Sequence, residues 1–454
     1  DLPDYIREFN EILKKYNLYS VHYAHAGSGE IHLRPIINLK TKEGNQLFRT
    51  IAEEIATLVK KYKGSLSGEH GDGRLRGEFI RQMIGEKNYQ LLKEIKKAWD
   101  PQNIFNPNKI VDTPAMNTML RYEPGQQTPV FKTVFRYPNQ DVLRHAEQCN
   151  GSGDCRKTHL SGGTMCPSYM ATKNEKDTTR ARANILREFL THSDKINRFD
   201  HKEIYEVMEL CLSCKGCKSE CPSNVDVAKL KAEFLQQYFD ANGVPLRSRI
   251  IGNFSTLSKA GSLLPGLYNL VMTGITSGLV KRVAGFAPKR SMPGMYKTTL
   301  KRWYSKHRQQ APKNYTRKVY LFCDEFTNYN DTETGIKAIL LLEKLGYEVI
   351  IPEHIESGRS WLSKGLLRKA KAIAEKNVRL LLPLISEQTP LIGIEPSAIL
   401  TFRDEYIDLA DDAMLEETKR LSANVFTIDE FLSREADAGH IVSGMFTTEK
   451  RKVV

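Results

Sequence analysis

The sequence predicts a multidomain α+β protein, and three observations along its 454 residues support this fold class. Residues 1–112 alternate helix-like and strand-like patterns. Seven of the eight cysteines lie between positions 149 and 221, where the surrounding patterns are helical. From position 318 onward, strand and helix patterns alternate in the βαβαβ order that is typical of a parallel sheet.

The same patterns set the expected domain boundaries. We assign residues 1–112 to an α+β domain and residues 113–144, rich in Pro, Gln, Thr and aromatic residues, to a surface linker. Residues 145–240 are predicted to form a helical, cysteine-containing domain, and residues 241–317 a helical connector. Residues 318–454 are predicted to form an α/β domain.

Charge and hydropathy exclude some classes of function. The formal net charge is +13, but acidic and basic residues mix along the helical stretches and no nucleic-acid fold motif accompanies them, so no nucleic-acid partner is expected. No apolar stretch reaches the roughly 20 residues that span a bilayer, and no signal peptide is expected. The chain opens close to a helix and closes on a charged tail, which suggests a piece of a longer polypeptide.

The cysteine spacing indicates iron–sulfur chemistry. The run C-x2-C-x2-C-x3-C-P at 211–222 has the spacing of two-cluster ferredoxins, in which the last cysteine of each quartet binds the other cluster. This crowding favours clusters over zinc or disulfides, and therefore a reducing cytoplasm. Crossover predicts one complete [4Fe–4S] site formed by Cys166, Cys211, Cys214 and Cys217.

A second cluster site would have three thiolates, because Ser152 stands where another cysteine is expected. Its cysteines are Cys149, Cys155 and Cys221. Three alternatives remain open: a [3Fe–4S] cluster, a [4Fe–4S] cluster completed by an oxygen ligand such as Ser152 or Asp154, or an empty site with core cysteines. The C-x5-C spacing resembles the three-iron loop of succinate dehydrogenase iron–sulfur subunits, which favours an occupied site. Three nearby cations are interpreted as exposed helix-face charges: Arg180, Arg182 and Lys215. The alternative is that they compensate the charge of a cluster and raise its reduction potential.

A second chemical site is predicted in the first domain. His25 and His32 flank a glycine turn, and Glu69 and His70 lie together in a glycine-rich loop. Two histidines and one carboxylate form a ligand set for a divalent metal such as Zn, Mn or Fe that leaves coordination positions open.

Residues 18–112 resemble the C-terminal half of the FAD-linked oxidase domain of D-2-hydroxyglutarate dehydrogenases, D-lactate dehydrogenases and glycolate oxidases. The motifs are the two histidines, the run Ser67–Gly71, and the segment from Asp100-Pro101 to Asn106-Pro107-Asn108-Lys109. The resemblance implies that His25, His32 and Glu69 hold the metal and that His70 is the catalytic base. It places Arg34 at the substrate, with a structural ion pair as the alternative role. It places Asn106 and Lys109 near the flavin, although Asn108 replaces the usual glycine.

The resemblance also implies that FAD is bound mostly by a domain upstream of the matched region. Residues 318–454 resemble the first cysteine-rich repeat of glycolate oxidase iron–sulfur subunits, but the cysteine positions carry residues such as His354, Ser357 and Ala398. This region is therefore expected to be a scaffold or docking surface, with Cys323 as a buried apolar residue.

Together these features predict an FAD- and iron–sulfur-dependent dehydrogenase that oxidises an (R)-2-hydroxy acid, with (R)-2-hydroxyglutarate leading and D-lactate or glycolate as alternatives. An electron-transfer subunit without a substrate site is the alternative from another class. Electrons would pass to a quinone or a soluble carrier. The connector is expected to pack on the cysteine-containing domain; an in-plane membrane contact on the cytoplasmic face, or a contact with a partner, is the alternative. Self-association is a further expectation.

Overall fold

The computed structural model describes residues 1–127, 129–274, 276–310 and 314–449. Its contacts divide the chain into two compact units, Asp1–Thr128 (unit 1) and Pro129–Val454 (unit 2). The division falls inside the predicted linker. No helix in the described ranges is both long and apolar enough to cross a membrane.

Unit 1 contains two packed helices and a β-hairpin. Phe9 and Leu13 of the first helix pack against Ile51 and Leu58 of the second, which recur at helical spacing and form the core. Thr41 caps the second helix by accepting a hydrogen bond from Gly44 N at 2.9 Å. The elements are α1 (Leu2–Lys15), β1 (Ser20–His25), β2 (Glu30–Pro35), α2 (Lys42–Lys61), α3 (Ile80–Ile84) and α4 (Glu86–Trp99).

The cysteine-containing part of unit 2 is helical, as predicted. Its core includes Leu186 and Ile204, both with 0% exposure. The helices are α5 (Val142–Glu147), α6 (Pro167–Thr172), α7 (Thr179–His192), α8 (Lys202–Glu209), α9 (Gly216–Glu220) and α10 (Val227–Asn242).

The predicted surface linker is not exposed throughout. Phe135 and Tyr137 are buried in the core of unit 2. The buried Glu233 carboxylate accepts hydrogen bonds from Val134 N and Phe135 N, at 3.1 and 2.9 Å. Phe135 and Tyr137 therefore serve as core residues, and a carboxylate of α10 satisfies two backbone N–H groups beside them.

The described residues of the connector form five helices. Gly252 lies so close to the Trp361 ring that a Cβ would come within 2.8 Å of it, and Phe254 stacks on Phe326 with ring centroids 5.1 Å apart. These contacts attach the first part of the connector to the α/β region. The helices are α11 (Leu246–Gly252), α12 (Phe254–Gly261), α13 (Pro265–Met272), α14 (Ser277–Ala284) and α15 (Leu300–His307).

The C-terminal region is a parallel four-stranded sheet in the order β4-β3-β5-β6, flanked by helices. The strand over Val425–Thr427 is an addition to the three predicted strands. The strands are β3 (Arg317–Phe322), β4 (Tyr347–Ile350), β5 (Leu391–Gly393) and β6 (Val425–Thr427). The helices are α16 (Glu325–Tyr329), α17 (Thr332–Lys344), α18 (Arg359–Ser363), α19 (Leu367–Leu381), α20 (Pro396–Arg403), α21 (Glu405–Leu409), α22 (Leu415–Ser422) and α23 (Ile428–Asp437).

A row of carboxylates in this region faces the cysteine-containing helices. Lys215 pairs with Asp404 and, at 3.0 Å, with Glu405. Lys218 also pairs with Asp404. Two further ion pairs join Lys229 to Asp408, at 2.8 Å, and Arg136 to Asp412. We call Asp404, Glu405, Asp408 and Asp412 the acidic row.

Candidate functional site

The β1–β2 hairpin determines which side chains meet in unit 1. In its antiparallel register His25 lies opposite Glu30, Tyr23 opposite His32, and Val21 opposite Arg34. Opposite residues share a face of the sheet, and side chains alternate along each strand. Both histidines, Glu30 and Arg34 therefore lie on one face of the hairpin.

Glycines form the hairpin turn and let one further loop approach this face. Gly29 has φ +73° at the hairpin turn, a conformation that a residue with a Cβ rarely adopts. At Gly68 a Cβ would come within 2.7 Å of the Glu30 side chain. The absence of a side chain at Gly68 therefore lets the loop carrying Glu69 lie against the hairpin.

The structure brings the three proposed metal ligands together. His25 Nε2 lies 3.7 Å from one oxygen of Glu69, and His32 Nε2 lies 3.7 Å from the other. All three ligand atoms fall within 4.8 Å of one another. Their side chains are 62%, 25% and 37% exposed, respectively, so a cation here would keep coordination positions open to a substrate.

Three further side chains surround this trio. His70 Nε2 lies 3.2 Å from a Glu69 oxygen, and the His70 side chain is largely exposed. Arg34 is exposed on the strand that carries His32. Sequence reasoning missed Glu30, whose carboxylate lies 3.9 Å from His32 Nε2. Its position directly across the hairpin from His25 was the signal that could have found it.

The segment proposed to lie near the flavin runs beside the glycine-rich loop that carries Glu69 and His70. The Asp100 carboxylate accepts hydrogen bonds from Ile104 N and Phe105 N, each at 2.8 Å, and the neighbouring Lys96 ammonium lowers the pKa of Asp100. Ile110 N then donates to Gly73 O at 2.9 Å. These bonds hold the intervening exposed residues, including Asn106 and Lys109, in a fixed turn next to the glycine-rich loop.

The proposed first cluster site combines buried and accessible thiols. Cys166 and Cys217 are buried, Cys211 is half-buried and Cys214 is exposed. Backbone N–H groups point at the buried sulfurs: Thr179 N donates to Cys166 Sγ at 3.0 Å, and Val227 N to Cys217 Sγ at 3.4 Å. Such donors stabilise the negative charge of a cluster and tune its potential.

The other three cysteines line a single pocket. Its wall includes Cys149, Cys155 and Cys221, together with Ser152 and Asp154, the oxygen ligands considered from the sequence. Met165 also contributes to the wall. Cys149 and Cys155 also belong to the hydrophobic core of unit 2, so an occupied second cluster site stays a prediction.

The thiol geometry also argues against a mononuclear metal. Thiolates on zinc at about 2.3 Å would place their sulfurs roughly 4 Å apart. Among the described residues, His25, His32 and Glu69 are the only three His, Cys, Asp or Glu residues whose ligand atoms lie within 4.8 Å of one another. The histidines and the carboxylate are therefore spaced for one ion, and no three of the described cysteines are.

The three cations near the cysteines are not all exposed helix-face charges, so that interpretation was wrong for two of them. Arg182 is only 2% exposed; it donates to Val207 O and Ser168 Oγ, each at 3.1 Å. Lys215 is held by the acidic row. Arg180 is 28% exposed; it pairs with Glu175 at 2.6 Å and lines the pocket of the second set of cysteines.

A hydrogen-bonded network lies at the carboxyl ends of β3 and β4, where the cysteine-rich repeats that this region resembles carry cysteines. Glu325 accepts hydrogen bonds from Ser357 N and Ser357 Oγ, at 2.9 and 2.6 Å. His354 Nε2 accepts from Cys323 N at 3.3 Å, and Cys323 is buried. These residues do not fit an iron–sulfur cluster, because Cys323 is the only thiol among them.

Comparison with known families identifies two segments of the chain. Residues 1–110 match the family described as FAD linked oxidases, C-terminal domain, and residues 148–226 match the 4Fe-4S dicluster domain. The chain therefore combines an FAD-linked oxidase C-terminal domain with a dicluster iron–sulfur domain, and FAD and [4Fe–4S] are the cofactors of these domains. The resemblance and the iron–sulfur prediction made from the sequence are confirmed.

Individual relatives extend this similarity over most of the chain. D-2-hydroxyglutarate dehydrogenase of Escherichia coli strain K12 is 26% identical over 89% of this chain and 44% of its own length. The Pseudomonas putida protein of the same name is 29% identical with the same coverage. D-lactate dehydrogenase of Archaeoglobus fulgidus is 31% identical over 24% of each chain. The chain spans a little under half the length of the first two relatives, and no solved structure matches it.

Proposed function

We propose that this chain forms the substrate-binding and electron-transferring part of an FAD- and iron–sulfur-dependent dehydrogenase that converts an (R)-2-hydroxy acid to the 2-oxo acid. The observation that carries the proposal is the convergence of His25, His32 and Glu69 on one ion-sized site beside Arg34. (R)-2-Hydroxyglutarate is the leading substrate, because the relatives similar over most of the chain are D-2-hydroxyglutarate dehydrogenases. D-Lactate and glycolate are the alternatives.

The residues around the trio have distinct roles in this proposal. A divalent cation bound by His25, His32 and Glu69 would lower the pKa of a substrate hydroxyl, and FAD would accept the hydride from the same carbon. His70 takes the hydroxyl proton on a ring nitrogen, since it lies next to Glu69 on the open side of the site. The C–H bond breaks as the C=O bond forms, which leaves the 2-oxo acid and a proton on His70.

Arg34 is proposed to select a dicarboxylate. It lies two residues beyond His32 on the same strand face, a separation of about 6.6 Å along the backbone. A five-carbon diacid can bridge the ion and the guanidinium, whereas lactate and glycolate have no distal carboxylate. The guanidinium can bind that carboxylate through two hydrogen bonds. Asn106 and Lys109 are proposed to contact the flavin.

The cysteine sites are proposed to carry single electrons away from the flavin. Cys166, Cys211, Cys214 and Cys217 would hold one [4Fe–4S] cluster, and Cys149, Cys155 and Cys221 a second cluster of three or four irons. The acceptor would be a quinone or a soluble carrier, and reduced thiolates would be maintained in the cytoplasm. Residues 318–454 are proposed to be a repeat without cluster ligands that supports the cysteine-containing helices. Self-association of the chain stays a prediction.

A panel of hydroxy acids tests this function on protein that contains flavin. (R)-2-Hydroxyglutarate should bleach the flavin absorbance fastest, D-lactate and glycolate more slowly, and the (S)-enantiomer least. Faster bleaching by lactate would move the substrate assignment to the alternative. If no acid bleaches the flavin although metal is bound, the chain belongs to an electron-transfer protein with a structural metal site.

A further inference from the structure

The positive charge of the chain is concentrated in one segment. Between Ala241 and Cys323 there is no Asp or Glu, whereas fifteen Lys and Arg residues occur there. That excess is larger than the net charge of the whole chain, +13. The rest of the sequence is therefore close to neutral, and the helical connector is strongly basic.

The same segment exposes large apolar side chains. Helix α13 has no buried residue, and Leu263, Leu267 and Leu270 follow one another at helical spacing with exposures of 80%, 56% and 65%. In α14, Leu279 and Val283 lie one turn apart with exposures of 66% and 69%. Scattered exposed leucines are ordinary, but a cluster on adjoining helices marks an interaction surface.

Internal contacts hold these two helices without covering their apolar faces. Asn269 of α13 exchanges two hydrogen bonds with Met295: Nδ2 donates to Met295 O at 2.9 Å, and Met295 N donates to Oδ1 at 2.7 Å. Arg247 reaches Gly285 O, just beyond α14, at 3.5 Å. We call α13, α14 and the residues 263–264 and 285–290 the connector surface. Lys289 and Arg290 within it are both exposed.

We propose that the connector surface docks the protein peripherally on an anionic lipid membrane. Its leucines and valine would enter the headgroup boundary, and the basic residues around them would pair with anionic lipid headgroups. Charge complementarity favours this partner, since an 83-residue stretch without a carboxylate repels no anionic headgroup. A second copy of the basic segment would instead be repelled, and a nucleic acid would not require the exposed leucines.

Flotation of the purified holoprotein with vesicles tests the proposal and does not depend on which acid is oxidised. Phosphatidylcholine vesicles are compared with vesicles that also contain phosphatidylglycerol. Binding should require the anionic lipid and should weaken as salt is added. The paired substitution Lys289→Gln with Arg290→Gln should weaken binding by roughly 25-fold, because each charge near the surface contributes about fivefold.

The apolar contribution is tested by Leu267→Ser with Leu270→Ser, which should weaken binding at least about tenfold. The matched control, Leu340→Ser with Leu341→Ser, alters two exposed leucines of α17 outside the connector surface and should leave binding unchanged. An unchanged visible spectrum of each variant verifies that its clusters and fold are intact. Equal binding to both vesicle types, or equal loss in the control pair, overturns the proposal. So does a dimer by light scattering that Leu267→Ser with Leu270→Ser converts to monomer, because the surface would then bind a second copy.

Discussion

Substitution Glu69→Gln should remove most of the affinity of unit 1 for a divalent cation. Glu69 faces His25 with one oxygen and His32 with the other, so the amide replaces the only anionic member of the trio with a group of the same shape. Changing a residue that merely supports a metal ligand costs about 10- to 100-fold in affinity. Losing a ligand should therefore cost at least about 100-fold, or ~2.7 kcal/mol.

This loss can be measured as a thermal shift without turnover. At a metal concentration of one hundred times the dissociation constant, binding stabilises the folded unit by about 2.7 kcal/mol. At the same concentration, a variant that binds 100-fold more weakly gains only about 0.4 kcal/mol. The difference corresponds to roughly 5–15 °C in the melting temperature of a unit this size. Titration calorimetry with Zn²⁺ and Mn²⁺ supplies the affinities directly.

Two further variants make the result specific. Glu30→Gln removes the carboxylate that lies near His32 but outside the trio, and should weaken binding about tenfold. Glu11→Gln, on the exposed surface of α1, should change nothing. If Glu69→Gln retains the affinity and metal-dependent stabilisation of the unaltered chain, then Glu69 is not a metal ligand and the metal-assisted mechanism fails.

Arg34→Met should raise the KM for (R)-2-hydroxyglutarate about 10- to 100-fold and leave the KM for D-lactate nearly unchanged, because only the diacid loses a charged hydrogen bond. Equal effects on both acids in steady-state kinetics would contradict substrate selection by Arg34. Cys221→Ser should lower the iron and acid-labile sulfide content to about four of each per chain, because one cluster is lost. The control Cys323→Ser should leave this content unchanged. An unaltered iron count in Cys221→Ser would indicate an empty second site. Asp404→Asn should lower the free energy of unfolding by roughly 1–3 kcal/mol, since the partly buried Lys215 and the exposed Lys218 both lose the carboxylate that they share. Urea unfolding measures that loss, which should exceed the loss for Asp412→Asn, whose side chain is 92% exposed; equal losses would mean that the acidic row contributes only surface ion pairs.

The sequence could predict those parts of the site whose residues lie only a few positions apart in the chain. The glycine turn between His25 and His32 predicts a hairpin, and a hairpin brings flanking residues together whatever the rest of the chain does. Glu30 was missed because its role follows from register, which requires counting residues across the turn. Similarly, the cysteine spacing at 211–222 identifies the cluster chemistry without knowledge of the surrounding helices.

Features that depend on long-range packing could not be read from the sequence. Phe135 and Tyr137 stand in a stretch without periodicity, and their burial depends on Glu233, almost one hundred residues later. Arg182 resembles any surface arginine on a helix until α7 packs against α8, where Val207 O accepts from it. The three-residue strand at Val425–Thr427 is too short for alternation to reveal it.

The acidic row has a mechanical consequence for electron transfer. Asp404 of this row forms ion pairs with Lys215 and Lys218, which lie on either side of Cys217. The loop that would surround one cluster is therefore tethered to the C-terminal region of unit 2. A tethered loop holds its metal centre at a constant distance from the neighbouring centre, and tunnelling rates depend steeply on that distance. The C-terminal region lacks cluster ligands, but its acidic row would fix the position of this loop. The distance between the two cluster sites would then be the same in every turnover.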